Sequence, residues 1–355
     1  MTEDSIELSL LSLFALVSFF ITLITCKLFS KFANGLLLDK DFNKPQAFHK
    51  EEAARSGGIA IFLSMIIFFI FYQMMYDSIL IKYLIIGISF FLLGFLDDTK
   101  INTNAYIRLA FMFLILAVSV IFLKIDIYSV DLSFLNNLLN FKVFSVLFLI
   151  LCFMFIVNGS NLIDGFNGLL AIHLIIINSL LLLVNLEGDQ TNLFLIITAQ
   201  IIALFCFLFF NFPKAQMFLG DSGSYFLGSI TALNVIETNN LNASVSSFFY
   251  CSILFYLFFE VFFSFFRKMY IKKSPFKPDR LHLHMLCYRY LERLKVFKDN
   301  NYISSLLINL TYFILITPAI YFKSDGVFCR VWFLALMLIY LIFYSRLKIA
   351  TKEKL

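Results

Sequence analysis

The chain has 355 residues, 61% of them apolar and only 14% charged, with a formal net charge of +5. That balance makes lipid the solvent for most of the sequence. It excludes an ordinary soluble enzyme, and the longest polar stretch, Arg267 to Asn301, is too short for an independent domain. The six cysteines have no C-x-x-C spacing, so neither a disulfide framework nor a metal cluster is indicated, and nothing calls for a nucleic-acid partner.

Lipid offers no partner to a free amide, so long apolar runs read as membrane-spanning helices and the fold class as all-α. In chain order the runs cover residues 6–26, 57–76, 80–96, 106–123, 143–158, 167–186, 193–210, 222–238, 245–266, 302–322 and 327–345, eleven expected spans within one integral-membrane domain, 1–355. The first follows an acidic Met1–Glu7, unlike the basic start of a secretory signal, and reads as a retained span. Between the fourth and fifth, Ile125, Ile127, Val130 and Leu132 alternate loosely with polar residues and predict a small hairpin. With the N-terminus outside, 23 of the 28 Lys and Arg fall on inner segments, so the positive-inside rule sets the N-terminus periplasmic and the C-terminus cytoplasmic.

In this orientation the polar clusters share the inner side. The first is Arg55-Ser-Gly-Gly58. The second is Asp97-Asp98 at the end of the third span, two carboxylates able to bind Mg²⁺, to position a phosphate through it or to accept a proton, or forming only a solvated helix end. The third, Asn158-Gly-Ser-Asn161-Leu-Ile-Asp164-Gly165-Phe-Asn167-Gly168, puts Asn158, Asn161 and Asp164 at three-residue spacing. These are neighbours on a continuing helix, suited to a metal and nucleotide site and also to an ordinary helix cap. Ionisable groups against a span favour the site. The fourth, Phe218-Leu-Gly220-Asp221-Ser222-Gly223-Ser224, opens the eighth span. Its carboxylate and its helix N-terminal amides would suit a cation-bridged diphosphate, and Phe218 would stack on a base or serve as packing.

The fifth cluster is Ser274-Pro275-Phe276-Lys277-Pro278-Asp279-Arg280-Leu281-His282-Leu283-His284-Met285, in the most basic segment. Zinc binding lacks nearby further ligands, and anion recognition by Arg280, His282 and His284 fits better. His173, inside the sixth span, reads as a buried packing or hydrogen-bonding residue. A different class of function, secondary transport of nucleotide sugars or organic anions, would place its charges near the bilayer midplane and repeat its halves, and neither pattern is present.

Taken together, these motifs resemble the polyprenyl-phosphate N-acetylhexosamine-1-phosphate transferases, and the Ser274–His284 stretch is similar to their GlcNAc branch. The resemblance implies transfer of a sugar-1-phosphate from a UDP-sugar to undecaprenyl phosphate in the bacterial cytoplasmic membrane, with release of UMP. It implies Mg²⁺, with Mn²⁺ as a substitute, held by Asn158 and Asp221, and Asp97, Asp98 and Asp164 as catalytic groups. Asn161, Asn167, Phe218, Arg280, His282 and His284 would bind substrate, and a homodimer would be the family-type assembly. Two departures stand out: Met285 occupies the place of a third family histidine, and the proline usual shortly before Arg55 is absent.

Overall fold

The computed structural model describes residues 3–29, 37–39, 52–99, 104–186, 191–277 and 279–352. Pro278 and several of the lysines that weigh on orientation, among them Lys40, Lys44, Lys50 and Lys100, lie outside the described residues. In chain order the elements are α1 (Glu3–Phe29), β1 (Leu38–Asp39), β2 (Ala53–Ala54), α2 (Gly57–Tyr76), α3 (Ile81–Asp98), α4 (Ala105–Phe122), α5 (Ser133–Leu139), α6 (Lys142–Ile163) and α7 (Leu169–Asn185). Then come α8 (Thr191–Asn211), α9 (Gly220–Leu241), α10 (Ser247–Ile253), α11 (Phe255–Tyr270), α12 (Leu283–Leu294), α13 (Asn300–Tyr321) and α14 (Gly326–Thr351). The protein is all-helical as expected, its one sheet among the described residues being the antiparallel pair β1–β2.

Every predicted span coincides with a helix or a helix pair, but the helices are not equal. Seven are long and apolar enough to cross a bilayer, and the pair α10 and α11, bent by 72°, makes an eighth if taken as one span. Of the other three, α7 has only 17 residues, α3 carries Lys82, Asp97 and Asp98, and α9 is rich in Gly, Ser, Thr and Asn. The hairpin expected after the fourth span is replaced by the short helix α5, because Ser133–Leu139 contains an uninterrupted helix-forming run that the loose alternation before it does not extend. The fifth span is longer than predicted, since α6 continues to Ile163 and carries Asn158 and Asn161 within its last turns.

Helix starts are fixed by short polar side chains that accept the first free amides: Asn104 from Tyr106, Ser246 from Phe248, Asp299 from Asn301, and Asp325 from Val327 and Phe328. Large apolar side chains stand exposed on the outer helices, such as Leu16 and Phe20 on α1, Phe111 and Leu114 on α4, and Leu334 and Leu338 on α14. On a soluble protein such surfaces would be a liability; here they form the face offered to lipid.

At the centre lies α9, with 18 of its 22 residues buried against α2, α3, α6, α7 and α8. Several of its polar groups are tied into a ladder: Asn234 donates to Asn178 and Gln200, Gln200 donates to Thr231, and Asn185 donates to Thr238. Glycines admit the close approaches at its first turn. A Cβ on Gly58 would overlap the backbone of Gly223, and one on Gly94 would overlap the carbonyl of Asp221. The N-termini of α2 and α9 and the end of α3 are thereby drawn into one region, where β2 also runs beside Met217 in a parallel bridge.

Candidate active site

A cavity of about 1190 Å³ opens where these ends meet, and it collects residues from nearly every motif. Arg55, Asp97, Asn158, Asn161, Asp164, Asn167, Phe218, Asp221, His282 and His284 all line it, while Leu109, Leu151, Phe155, Phe258, Phe262 and Phe265 give it an apolar wall. Arg280 does not line it: it is exposed, its amide turned to the Asp279 carboxylate. Asp98 is also absent from the lining.

The adjacent acids have separate fates. Asp97 lines the cavity and pairs with Arg108 at 3.3 Å. Asp98 is buried beside Arg55 at 3.4 Å and accepts the amides of Asp221 at 3.0 Å and Ser222 at 2.9 Å. It therefore caps α9 from another helix, and two of the amides expected to meet a phosphate are already taken. Burial first, and then the charge of Asp221, pushes the Asp98 carboxyl upward, against the Ser222 hydrogen bonds and Arg55. The cap fixes the first turn of α9 and with it the aim of Asp221.

Asn161 donates to the Asp221 carboxylate at 2.7 Å and to the Ser224 hydroxyl at 3.1 Å. Asn158, one helical turn earlier, spends its NH₂ on the Met154 carbonyl at 2.7 Å. Only the NH₂ of an amide can donate to a carbonyl, so this bond orients the group and leaves its oxygen to accept. Asn167 is a strut rather than a free group, donating its side-chain NH₂ to the Pro213 carbonyl at 2.9 Å and its amide to Asn301 at 2.8 Å.

Asp164 sits just past the end of α6. Burial, followed by the nearby charge of Asp221, pushes its carboxyl up to about 8. The hard oxygens of Asp221, Asp164 and Asn158, which line the same cavity, are of the kind Mg²⁺ takes. Among the described residues no three His, Cys, Asp or Glu side chains form a ready cage. A Mg²⁺ site here would count on a carboxamide and on retained water, which this ion ordinarily keeps.

The raised carboxyl has a consequence for stability. Its folded value lies above the unfolded one, so the folded chain holds a proton that the unfolded chain releases, and stability falls as pH rises from the ordinary carboxylate range towards 8. In metal-free detergent, Asp164→Asn is expected to raise the unfolding midpoint by about 3 °C at pH 8 and to leave it unchanged near pH 4. A shift of equal size at both pH values would contradict the assignment.

The histidines are held by a residue the sequence did not single out. Glu260, buried in α11, accepts from His282 Nδ1 at 2.9 Å, the Leu283 amide at 3.2 Å and the Tyr340 hydroxyl at 2.6 Å. His284 lies parallel to His282 with ring centres 5.6 Å apart, near the Tyr256 hydroxyl, its Nε2 buried without a hydrogen-bond partner. Burial drives the His284 imidazole down to about 3, so it is neutral. Zinc is not favoured by this arrangement, since His282 Nδ1 is committed to Glu260. His173 is buried against Asn309, as expected.

Arg108 and Lys268 were also missed as site residues. Lys268 donates to the carbonyls of Pro275 and Lys277 and so ties down the loop before the histidines. In the sequence Arg108 is one positive charge among many, and its pairing with Asp97 depends on α3 meeting α4. Glu260 did carry a signal, being the one acid in the apolar run Phe255–Phe266.

A many-helix membrane protein with carboxylates, carboxamides and histidines around one half-apolar cavity is the class that fold and site define. Residues 80–239 match the family model described as Glycosyl transferase family 4. It is 28% identical over 299 residues to a probable undecaprenyl-phosphate N-acetylglucosaminyl 1-phosphate transferase of Bacillus subtilis (strain 168), covering 82% of this chain and 80% of the relative. It is also 28% identical over 284 residues, 79% of this chain and 82% of the relative, to the undecaprenyl-phosphate alpha-N-acetylglucosaminyl 1-phosphate transferase of Thermotoga maritima. A phospho-N-acetylmuramoyl-pentapeptide-transferase of Clostridium perfringens (strain 13 / Type A) is 32% identical over 187 residues, covering 50% of this chain and 58% of the relative.

Proposed function

We propose that the protein transfers a sugar-1-phosphate, GlcNAc-1-phosphate by the likeness to its relatives, from a UDP-sugar to undecaprenyl phosphate at the cytoplasmic face of the bacterial membrane, releasing UMP. The observation that carries this reading is the two-sided cavity. Its acids and amides suit a diphosphate with its cation, and its wall of Leu109, Leu151, Phe155, Phe258 and Phe262 suits a prenyl chain. A lipid phosphate and a soluble nucleotide must meet in such a place.

In this reading an oxygen of the lipid phosphate attacks the phosphorus that carries the sugar. A new P–O–P bond forms as the bond to the UMP phosphate breaks, and UMP leaves with that electron pair. A phosphate monoester is already largely dianionic at neutral pH, so direct attack needs positioning more than a base. Mg²⁺, held by Asp221 with Asn158, would supply charge neutralisation at the diphosphate. Asn161 keeps the Asp221 carboxylate aimed, Arg108 and Arg55 offset the acids near the acceptor, Phe218 provides a face for the uracil, and His282 and His284 border the sugar side.

The native chain in detergent is expected to release UMP from UDP-GlcNAc only when undecaprenyl phosphate and Mg²⁺ are both present, with Mn²⁺ as a substitute. A panel of UDP-sugars would then identify the donor. Movement of UDP-GlcNAc into vesicles without UMP release would overturn this reading.

A further inference from the structure

The end of α11 serves two cavities. Ser264, Phe265, Phe266 and Lys268 line the acidic cavity. Phe263 and Arg267 line a second one, of about 550 Å³, shared with Leu341, Tyr344, Lys348 and Lys352 in the last turns of α14. Nothing in the proposed transfer reaction uses this groove.

Arg267 is the unusual group in it. The residue is only 7% exposed, and its guanidinium is flanked by the rings of Phe263 and Tyr344 at 5.9 and 5.8 Å. One nitrogen, Nη2, is used by Asp279 at 2.6 Å and Ser264 at 3.4 Å. The other two, Nε and Nη1, are buried with no hydrogen-bond partner, and so is the Tyr344 hydroxyl. Buried donors left unpaired are costly, and charged ones more so. A planar fork with two open N–H groups matches two oxygens of a phosphate.

We propose that this groove binds the headgroup of an anionic phospholipid. The phosphate would accept from Arg267 and Tyr344, while Lys348 and Lys352 hold the negative charge at the rim. Leu341 and Ile349, exposed at 37% and 74%, continue the groove as an apolar surface suited to acyl chains, which a soluble anion would not need. No acid lines the groove among the described residues. Residues 263–268 of α11 border both cavities, so the groove lies at the same end of the bundle as the acidic cavity.

The full chain in mild detergent is expected to retain phosphatidylglycerol in native mass spectrometry, and to gain thermal stability from it, well beyond what phosphatidylcholine gives. The double substitution Lys348→Ala with Lys352→Ala, at half-buried and exposed positions, is expected to weaken retention by at least roughly tenfold, since each cation near an anionic lipid surface contributes about fivefold. Tyr344→Phe, which removes only the hydroxyl, is expected to weaken it severalfold. Equal retention of the two lipids, or unchanged phosphatidylglycerol retention in both variants, overturns the proposal. A thermal gain from inorganic phosphate equal to that from phosphatidylglycerol overturns the lipid source and makes this a soluble-anion site.

Discussion

Replacing Asp221 by Asn is expected to cut UMP release about a thousandfold, a loss of several kcal/mol of transition-state stabilisation, while the chain folds and inserts as before. The substitution preserves size, and the helix start it sits on is held by Asp98 through backbone amides rather than through the Asp221 side chain. What disappears is the charge that Asn161 orients at 2.7 Å. Removing that charge should also release part of the upward push on Asp164, so residual activity should show its acidic limb displaced to lower pH. Initial rates of UMP release across pH, with the thermal midpoint as a folding control, test both parts. Full turnover by the variant would remove Asp221 from the ion-binding role.

Glu260→Ala should be the most damaging change to the scaffold. It strips the shared acceptor from His282, the Leu283 amide and Tyr340, three donors that would remain buried or partly buried around the gap. Breaking a buried charged network costs about 3–5 kcal/mol, which corresponds to a fall of roughly 10 °C in the unfolding midpoint. Glu260→Gln keeps an acceptor and most of the volume, and is expected to lose about 1–2 kcal/mol. Thermal unfolding of the three chains side by side, with the KM for the sugar donor as a second readout, measures this. A loss below about 1 kcal/mol for the alanine variant would mean that the network does not hold the histidine loop.

The sequence made the apolar helices and the polar motifs between them readable because lipid imposes a simple rule: long apolar runs become helices, and the exceptions are conspicuous. Asn158, Asn161, Asp164 and Asp221 stand out in this way, and all four line one cavity. Pairings between helices were not readable. That Asp97 would meet Arg108 while its neighbour Asp98 turned inward to cap α9 depends on how α3 lies against α4 and α9. The cap also took amides that the local pattern Gly220-Asp221-Ser222 had seemed to offer a ligand. The break at Leu254, between α10 and α11, falls inside a continuous apolar run with no Gly or Pro to announce it. Arg280, expected to face a ligand, is exposed and does not line the cavity, and charge in a basic loop does not reveal which side chain turns inward.

The helix that carries Asp221 is among those least suited to lipid. With its Ser, Thr and Asn side chains answered by Asn178, Asn185 and Gln200 on α7 and α8, α9 has a home in the bilayer only once those earlier segments are there to receive it. Its residence is thus conditional on the order of assembly: Asp221 rides on a segment whose polar side chains find their partners only after α7 and α8 are in place, so a half-built bundle lacks the cavity wall that α9 provides.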